Sequence, residues 1–372
     1  MLTFKRAILI ALVVVTLIFL LRPTQSDQPA RIHNADDLPK PKGVHTTLHE
    51  DETAEPSPEA PTTTSIAIEI PPPPPPTLRK QKPQISLEDM RIRPLVQQLE
   101  IQYPYDVTTK FPAYIWQTWK YTPASGYFDE AFREPEASWT MLHPTFIHEV
   151  ITDSVALHLI KHLYASIPEV LEAYNAMPIP VLKADFFRYL ILFARGGIYS
   201  DIDTSALKSA AEWVPPEVSR SSYGMVIGIE ADPVRDDWDK WYSRRIQFCQ
   251  WTIQSKPGHP VLRELIANIT EETLKRKDEG RLTSNTNGIV EFTGPAIWTD
   301  TVFAYFNNPE YFDMTTSKGN ISWKHFTGMT SPKKVGDVIV LPITSFSPGV
   351  RQMGAGEDDD PMAFVKHHFE GM

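Results

Sequence analysis

Asp201-Ile202-Asp203 sets two carboxylates two positions apart, directly after the apolar run Ile198-Tyr199-Ser200. Hard oxygen ligands at that spacing suit a divalent cation that keeps open positions for phosphate oxygens. An Asp-x-Asp is a short pattern, and a solvated strand end carries the same residues, so the neighbouring segments decide its meaning. Just upstream, Asp185 and Arg188 fall three apart and therefore share one face of a helix. Arg188 can grip a diphosphate, or it can fix Asp185 in a purely structural ion pair.

Other reactive residue types are less telling. His158 and His162 share a helix face at i, i+4, yet no third ligand is near and the segment reads as an amphipathic surface. His259 between Gly258 and Pro260 suits a turn. Glu291, Thr293, Gly294 and Pro295 form a polar loop that fits either a sugar contact or an ordinary helix cap. Cys249 is the sole cysteine, with no partner base in sight, and reads as core. A serine nucleophile elbow, a kinase lysine and paired zinc ligands are not found.

These residues need elements to position them. Ala113 to Trp119 reads as a β-strand after Pro112. Thr152 to Tyr164 and Val181 to Ala194 carry helical periodicity, the second stopped by Gly196 and Gly197. Ile198 to Asp203 and Met225 to Ile229 read as strands that end in acids, the latter followed by Glu230 and Asp232. Strands alternating with helices predict an α/β fold with a largely parallel central sheet flanked by helices, where ligands bind outside the carboxyl ends of strands.

Composition narrows the classes. Lys and Arg number 36 against 46 Asp and Glu, a net charge of −10, so the chain lacks the basic surplus a nucleic-acid partner requires. One cysteine excludes an internal disulfide framework. The 34 prolines are too many for one compact domain. Residues 1–6 read as a cytoplasmic tail and 7–22 as a membrane signal anchor, from the run Ala7 to Leu21 between Arg6 and Arg22. A cleaved signal peptide is the competing reading. Residues 23–105 hold 16 prolines, six of them consecutive at Pro71 to Pro76, and read as a stem with a short helix near Ser86 to Gln102. The folded domain is then expected over 106–372. Asn268-Ile269-Thr270 and Asn320-Ile321-Ser322 are N-glycosylation sequons that would agree with a lumenal domain.

Taken in order, several blocks resemble one family. Lys183-Ala184-Asp185-Phe186-Phe187-Arg188-Tyr189, Gly196-Gly197-Ile198-Tyr199 and Asp201-Ile202-Asp203 resemble the sugar-donor signature of glycosyltransferase family 32. Ile115 to Lys120, Gly228 to Asp232, Gln247 to Trp251, Gly258-His259-Pro260, Thr293-Gly294-Pro295 and Phe364 to Gly371 look like its fungal Golgi branch, which starts the α-1,6-linked outer chain of N-glycans. The resemblance implies a GT-A-like nucleotide-sugar transferase fold, GDP-mannose as donor, manganese as cofactor, and retaining transfer to an N-linked glycan on glycoproteins. It implies a Golgi membrane protein with its catalytic domain in the lumen, and a Golgi mannosyltransferase complex as a candidate partner. By residue, it implies Asp203 as direct metal ligand, with Asp201 reaching the metal through water or holding the donor ribose. Asp185 and Arg188 would meet the donor sugar and diphosphate, and Trp116, Gln117 and Thr118 the nucleotide. His367 would complete the metal site, and Glu230 and Asp232 are candidate acceptor-side groups. Two further readings remain open: a sister mannosyltransferase acting on mannan or a sphingolipid, and a non-catalytic subunit of a Golgi complex.

Overall fold

In a computed structural model, residues 85–283, 288–312 and 319–369 are described. In chain order the strands are Tyr114–Thr118 (β1), Ile147–Ile151 (β2), Gly197–Ser200 (β3), Thr204–Ala206 (β4), Met225–Ala231 (β5), Gln247–Ser255 (β6), Lys333–Val335 (β7), Val338–Leu341 (β8) and Val365–His367 (β9). The helices are Leu87–Arg91 (α1), Leu95–Gln102 (α2), Arg133–Leu142 (α3), Asp153–Leu163 (α4), Pro168–Ala176 (α5), Pro180–Arg195 (α6), Pro260–Asp278 (α7), Ile289–Phe292 (α8), Pro295–Phe306 (α9) and Ile343–Phe346 (α10).

Seven strands form one sheet in the order β2-β1-β3-β6-β5-β8-β7. Strands β2, β1, β3, β5 and β8 run one way, and β6 and β7 run against them. The expected α/β class with a mostly parallel sheet flanked by helices is what the chain adopts. The antiparallel β6 inserted between β3 and β5 was not foreseen.

Successive strand residues face opposite sides, and the cores follow that rule. Trp116, Tyr199 and Ile227 join a core with the helix residues Phe186, Phe187 and Trp298. Their neighbours Ile115, Ile198 and Val226 join a second core with Trp139, Trp213 and Phe346. The helix α6 is buried nearly all round, from Leu182 through Ala194, with an apolar exterior broken by Asp185 and Arg188. Removing a buried leucine such as Leu190 would cost about 2–5 kcal/mol.

Two expectations about the N-terminal part change. The helix expected near Ser86 to Gln102 is two helices, because Pro94 cannot continue the first and instead caps the second. Met90, Leu95 and Leu99 are buried in the core, so packing among the described residues begins before position 106. The expectation of a Golgi membrane protein is corrected as well. Among the described residues no helix is long and apolar enough to cross a membrane. The anchor expected at 7–22 and most of the expected stem lie outside the described residues.

Candidate active site

The site is built at the carboxyl end of β3. α6 delivers Asp185 and Arg188 on one face, and the chain then reverses through Gly196 and Gly197 at φ 66° and 101°. A Cβ on Gly197 would lie 2.6 Å from the carbonyl oxygen of Tyr114, so β1 and β3 approach this closely only with glycine there. β3 then carries Tyr199 and Ser200 up to a tight turn containing Asp201 and Asp203. The Asp201 amide donates to the Trp251 carbonyl at 2.8 Å, and Thr204 Oγ1 donates to the Asp201 carbonyl at 2.6 Å. The expected strand therefore stops at Ser200, and the two acids sit in a pinned turn.

Arg188 joins the two motifs. Its Nη2 lies 2.9 Å from Asp185 Oδ1 and 3.3 Å from Asp201 Oδ1, and its side chain is 6% exposed. Burial works against its charge, but Asp201, Tyr199 and Asp185 together hold it firmly charged. Its Nε and Nη1 are buried without hydrogen-bond partners. Asp185 accepts from Thr293 Oγ1 at 2.8 Å, and Gln250 Nε2 lies 3.4 Å from its other oxygen. Burial pushes the Asp185 carboxyl up to about 6, against the pull of Arg188 and these donors. Burial also raises Asp201, again opposed by Arg188. Tyr199 donates to Asp201 at 2.9 Å and lies 3.0 Å from the Thr118 hydroxyl.

His367 arrives from far along the chain because β9 pairs antiparallel with β4, setting His367 opposite Thr204. The backbone amide of His368 donates to the Asp203 carbonyl at 2.9 Å. His367 Nε2 lies 3.3 Å from Asp203 Oδ1, and its ring stacks on Trp251 with centroids 4.7 Å apart. Asp201, Asp203 and His367 each offer a ligand atom within 4.8 Å of the others. Two carboxylates and one imidazole fit a divalent cation with open positions.

A family signature described as the glycosyltransferase sugar-binding region containing a DXD motif matches residues 129–220. The chain is 51% identical to the initiation-specific alpha-1,6-mannosyltransferase of Candida albicans, over 74% of this chain and 76% of that protein. It is 44% identical to the protein of the same name in Schizosaccharomyces pombe, over 74% of this chain and 65% of that one. The Saccharomyces cerevisiae protein of that name is 36% identical, over 78% of this chain and 84% of its own length. The chain belongs to glycosyltransferase family 32. It is a glycosyltransferase, and the DXD of this family implies a divalent metal. Among solved structures, PaToxG glycosyltransferase aligns at 14% identity over 56% of this chain and 74% of that chain, with a TM-score of 0.36.

Family membership makes the placement of each expected residue informative. Asp185, Arg188, Asp201, Asp203 and His367 converge. Gln117 is fully buried, with its amide tied to the Asp201 carbonyl at 3.1 Å and to His148 at 2.9 Å, so it braces the turn. Thr118 supports Tyr199. Trp116 packs inward. It is 7% exposed in the core, donates to the Gly196 carbonyl at 2.9 Å and stacks on Tyr114. Asp232 is also consumed by structure. It is 4% exposed, pairs with Arg245 at 2.9 Å and accepts from the Gly328 amide at 2.7 Å. Glu230 keeps one buried carboxylate oxygen without a partner. His158 and His162 are exposed on α4, and Cys249 is buried, as expected. Asn268 is exposed on α7 while the hydroxyl residue of its sequon, Thr270, is fully buried; Asn320 is exposed.

Sequence reasoning missed the supports. Tyr199 lies inside a quoted block but draws no role from spacing alone. Thr293 sits in the polar loop left between two readings. It precedes the α9 cap Gly294, and its hydroxyl donates to Asp185. Tyr189 bonds the Thr293 carbonyl and Gln250, tying α6 to that loop.

Proposed function

We propose that this glycosyltransferase moves mannose from GDP-mannose to a mannose-bearing N-linked glycan with retention, forming an α-1,6 linkage, with manganese as its metal. The relatives' names motivate the sugar and linkage. The observation that carries the reading is the convergence of Asp201, Asp203 and His367 beside an arginine with two free donor nitrogens.

Asp201, Asp203 and His367 would hold the cation, whose role is to neutralise charge on the departing diphosphate. Arg188, kept charged and dry by its carboxylate neighbours, offers Nε and Nη1 to the same leaving group, where a preorganised donor acts most strongly. Asp185 holds the guanidinium in place and is itself held by Thr293. In the transfer, the bond from the anomeric carbon to the phosphate oxygen breaks. The bond from that carbon to the acceptor oxygen forms, and the acceptor proton passes to the diphosphate.

The test is GDP release by the purified chain from GDP-mannose with manganese and a panel of N-glycans and simple mannosides. EDTA and Asp203→Asn are each expected to lower turnover at least ~100-fold. Full turnover under either condition, or equal use of a uridine-linked sugar, would overturn the reading.

A further inference from the structure

The site contains a second polar group that neither the metal nor the diphosphate uses. At the carboxyl end of β5 the pairing with β6 slips twice, between Ile227 and Ile229 and between Ile229 and Ala231. Bulges of this kind re-aim a side chain and leave a residue outside the ladder. The residue bracketed by the second slip is Glu230. Gln247 stands opposite Ala231 on β6, and its side chain is near enough to favour the Glu230 anion against its burial. Glu230 Oε2 and Gln247 Oε1 are both buried and both without partners. Buried acceptors left unpaired are costly, so the two atoms mark a place where a donor would be received.

The chemistry of that donor is constrained. Both orphan atoms are acceptors, so the ligand presents O–H or N–H groups. Arg188 is near enough to act on the Glu230 charge, and its guanidinium disfavours a cation as occupant. A hexose offers neutral hydroxyls on neighbouring carbons, matching two adjacent acceptors. The position is also distinct from the diphosphate end. β5 lies two strands from β3 in the sheet order, hence about 10 Å from the strand that carries Asp201. The donor side is already furnished by Arg188 and Asp185.

We infer that Glu230 and Gln247 form a hydroxyl clamp for the acceptor sugar, taking two hydroxyls of the terminal mannose that receives the transferred residue. The clamp rests on the proposed transfer for the identity of its sugar. It is a positioning device that sets KM for the acceptor, and it leaves the donor's affinity alone.

The experiment uses methyl α-mannoside as acceptor and compares the wild-type chain with Glu230→Gln, which keeps the shape but presents a donor where an acceptor is needed. Gln247→Asn, which withdraws the amide by one methylene, serves as the second variant should the first fail to fold. Either variant is expected to raise the acceptor KM at least tenfold, with kcat lowered less and the calorimetric Kd for GDP-mannose with manganese within twofold of wild type. An unchanged acceptor KM, or a shift in donor Kd alone, overturns the clamp and in the second case hands these residues to the donor hexose. Saturation-transfer NMR of methyl α-mannoside reads the clamp without turnover. Signal in the wild type that is lost in Glu230→Gln supports it, and equal signals overturn it. A wild type that binds the mannoside but neither binds nor consumes GDP-mannose would instead refute the proposed donor.

Discussion

Replacing Arg188 by methionine should destabilise the chain in a pH-dependent way. The guanidinium lies 2.9 Å from Asp185 and 3.3 Å from Asp201, and its side chain is 6% exposed against 3% for Asp185. Removing one partner of a buried pair costs about 3–5 kcal/mol, because the remaining charge stays uncompensated. Asp185 already stands near 6 with the arginine present. A carboxyl raised above its unfolded value costs stability progressively as pH climbs from the unfolded to the folded value, and the cost vanishes below both. Without Arg188 the Asp185 carboxyl rises further, so the penalty of Arg188→Met should be clearly larger at pH 7.5 than near pH 5, where Asp185 is protonated with or without the arginine. In a unit of this size each kcal/mol moves the midpoint by roughly 2–4 °C, so thermal unfolding followed by circular dichroism at both pH values resolves the difference. The double variant Asp185→Leu, Arg188→Met removes both charges and should regain about half the lost stability at pH 7.5, while GDP-mannose turnover stays absent. An equal loss at both pH values, or no recovery in the double variant, would refute the view that Arg188 neutralises a buried carboxylate.

Three further outcomes are expected. Thr293→Val should leave folding within about 1–2 kcal/mol of wild type yet raise the KM for GDP-mannose several-fold, because Asp185 loses its 2.8 Å hydroxyl donor; unchanged donor kinetics would remove Thr293 from the site's support. Gly197→Ala, forcing a Cβ at φ 101° to within 2.6 Å of the Tyr114 carbonyl, should cost at least ~2 kcal/mol in urea unfolding, and a neutral result would contradict the glycine requirement. Asp337 is held well below the usual carboxylate range: burial works against its anion, but His259, Tyr105 and Tyr305 outweigh it, with hydroxyls at 2.5 and 2.8 Å. Its contribution is present above pH ~4 and fades as pH falls toward the folded value, so Asp337→Asn should lose about 2–4 kcal/mol at pH 7 and less at pH 3, whereas a constant difference would refute the sign.

The parts of the site that sequence made legible are those whose pattern is local. Asp185 and Arg188 reveal their common face by helical spacing, and Asp201 and Asp203 declare themselves after an apolar run. Gly196 and Gly197 mark the reversal between them. What stayed hidden depends on pairing between distant segments. Nothing local says that β6 enters the sheet against its neighbours, yet that places Gln250 over Asp185 and Trp251 under His367. Trp116 and Asp232 have structural partners that spacing does not show. A tryptophan beside a binding strand and an acid after a strand look functional, but one fills the core through its bond to Gly196 and the other is taken by Arg245 and Gly328. Their partners come from separate elements and leave no trace in local spacing.

The short ribbon of β4 and β9 bears on how this protein folds. It joins residues about 160 positions apart, with β5, β6 and β8 all lying between them in the chain. Closing so long a loop early would carry its full entropic cost with only three residue pairs in return. The ribbon should therefore form last, once the sheet has brought its ends together. Until then His367 is at low effective concentration near Asp203, and an unfolded chain has no assembled three-ligand set. The metal thus cannot template this fold as zinc templates a finger; it can act only as a ligand of the finished structure, adding stability in proportion to its occupancy. Metal-free chain should refold at an unchanged rate, with the divalent cation appearing solely as slower unfolding.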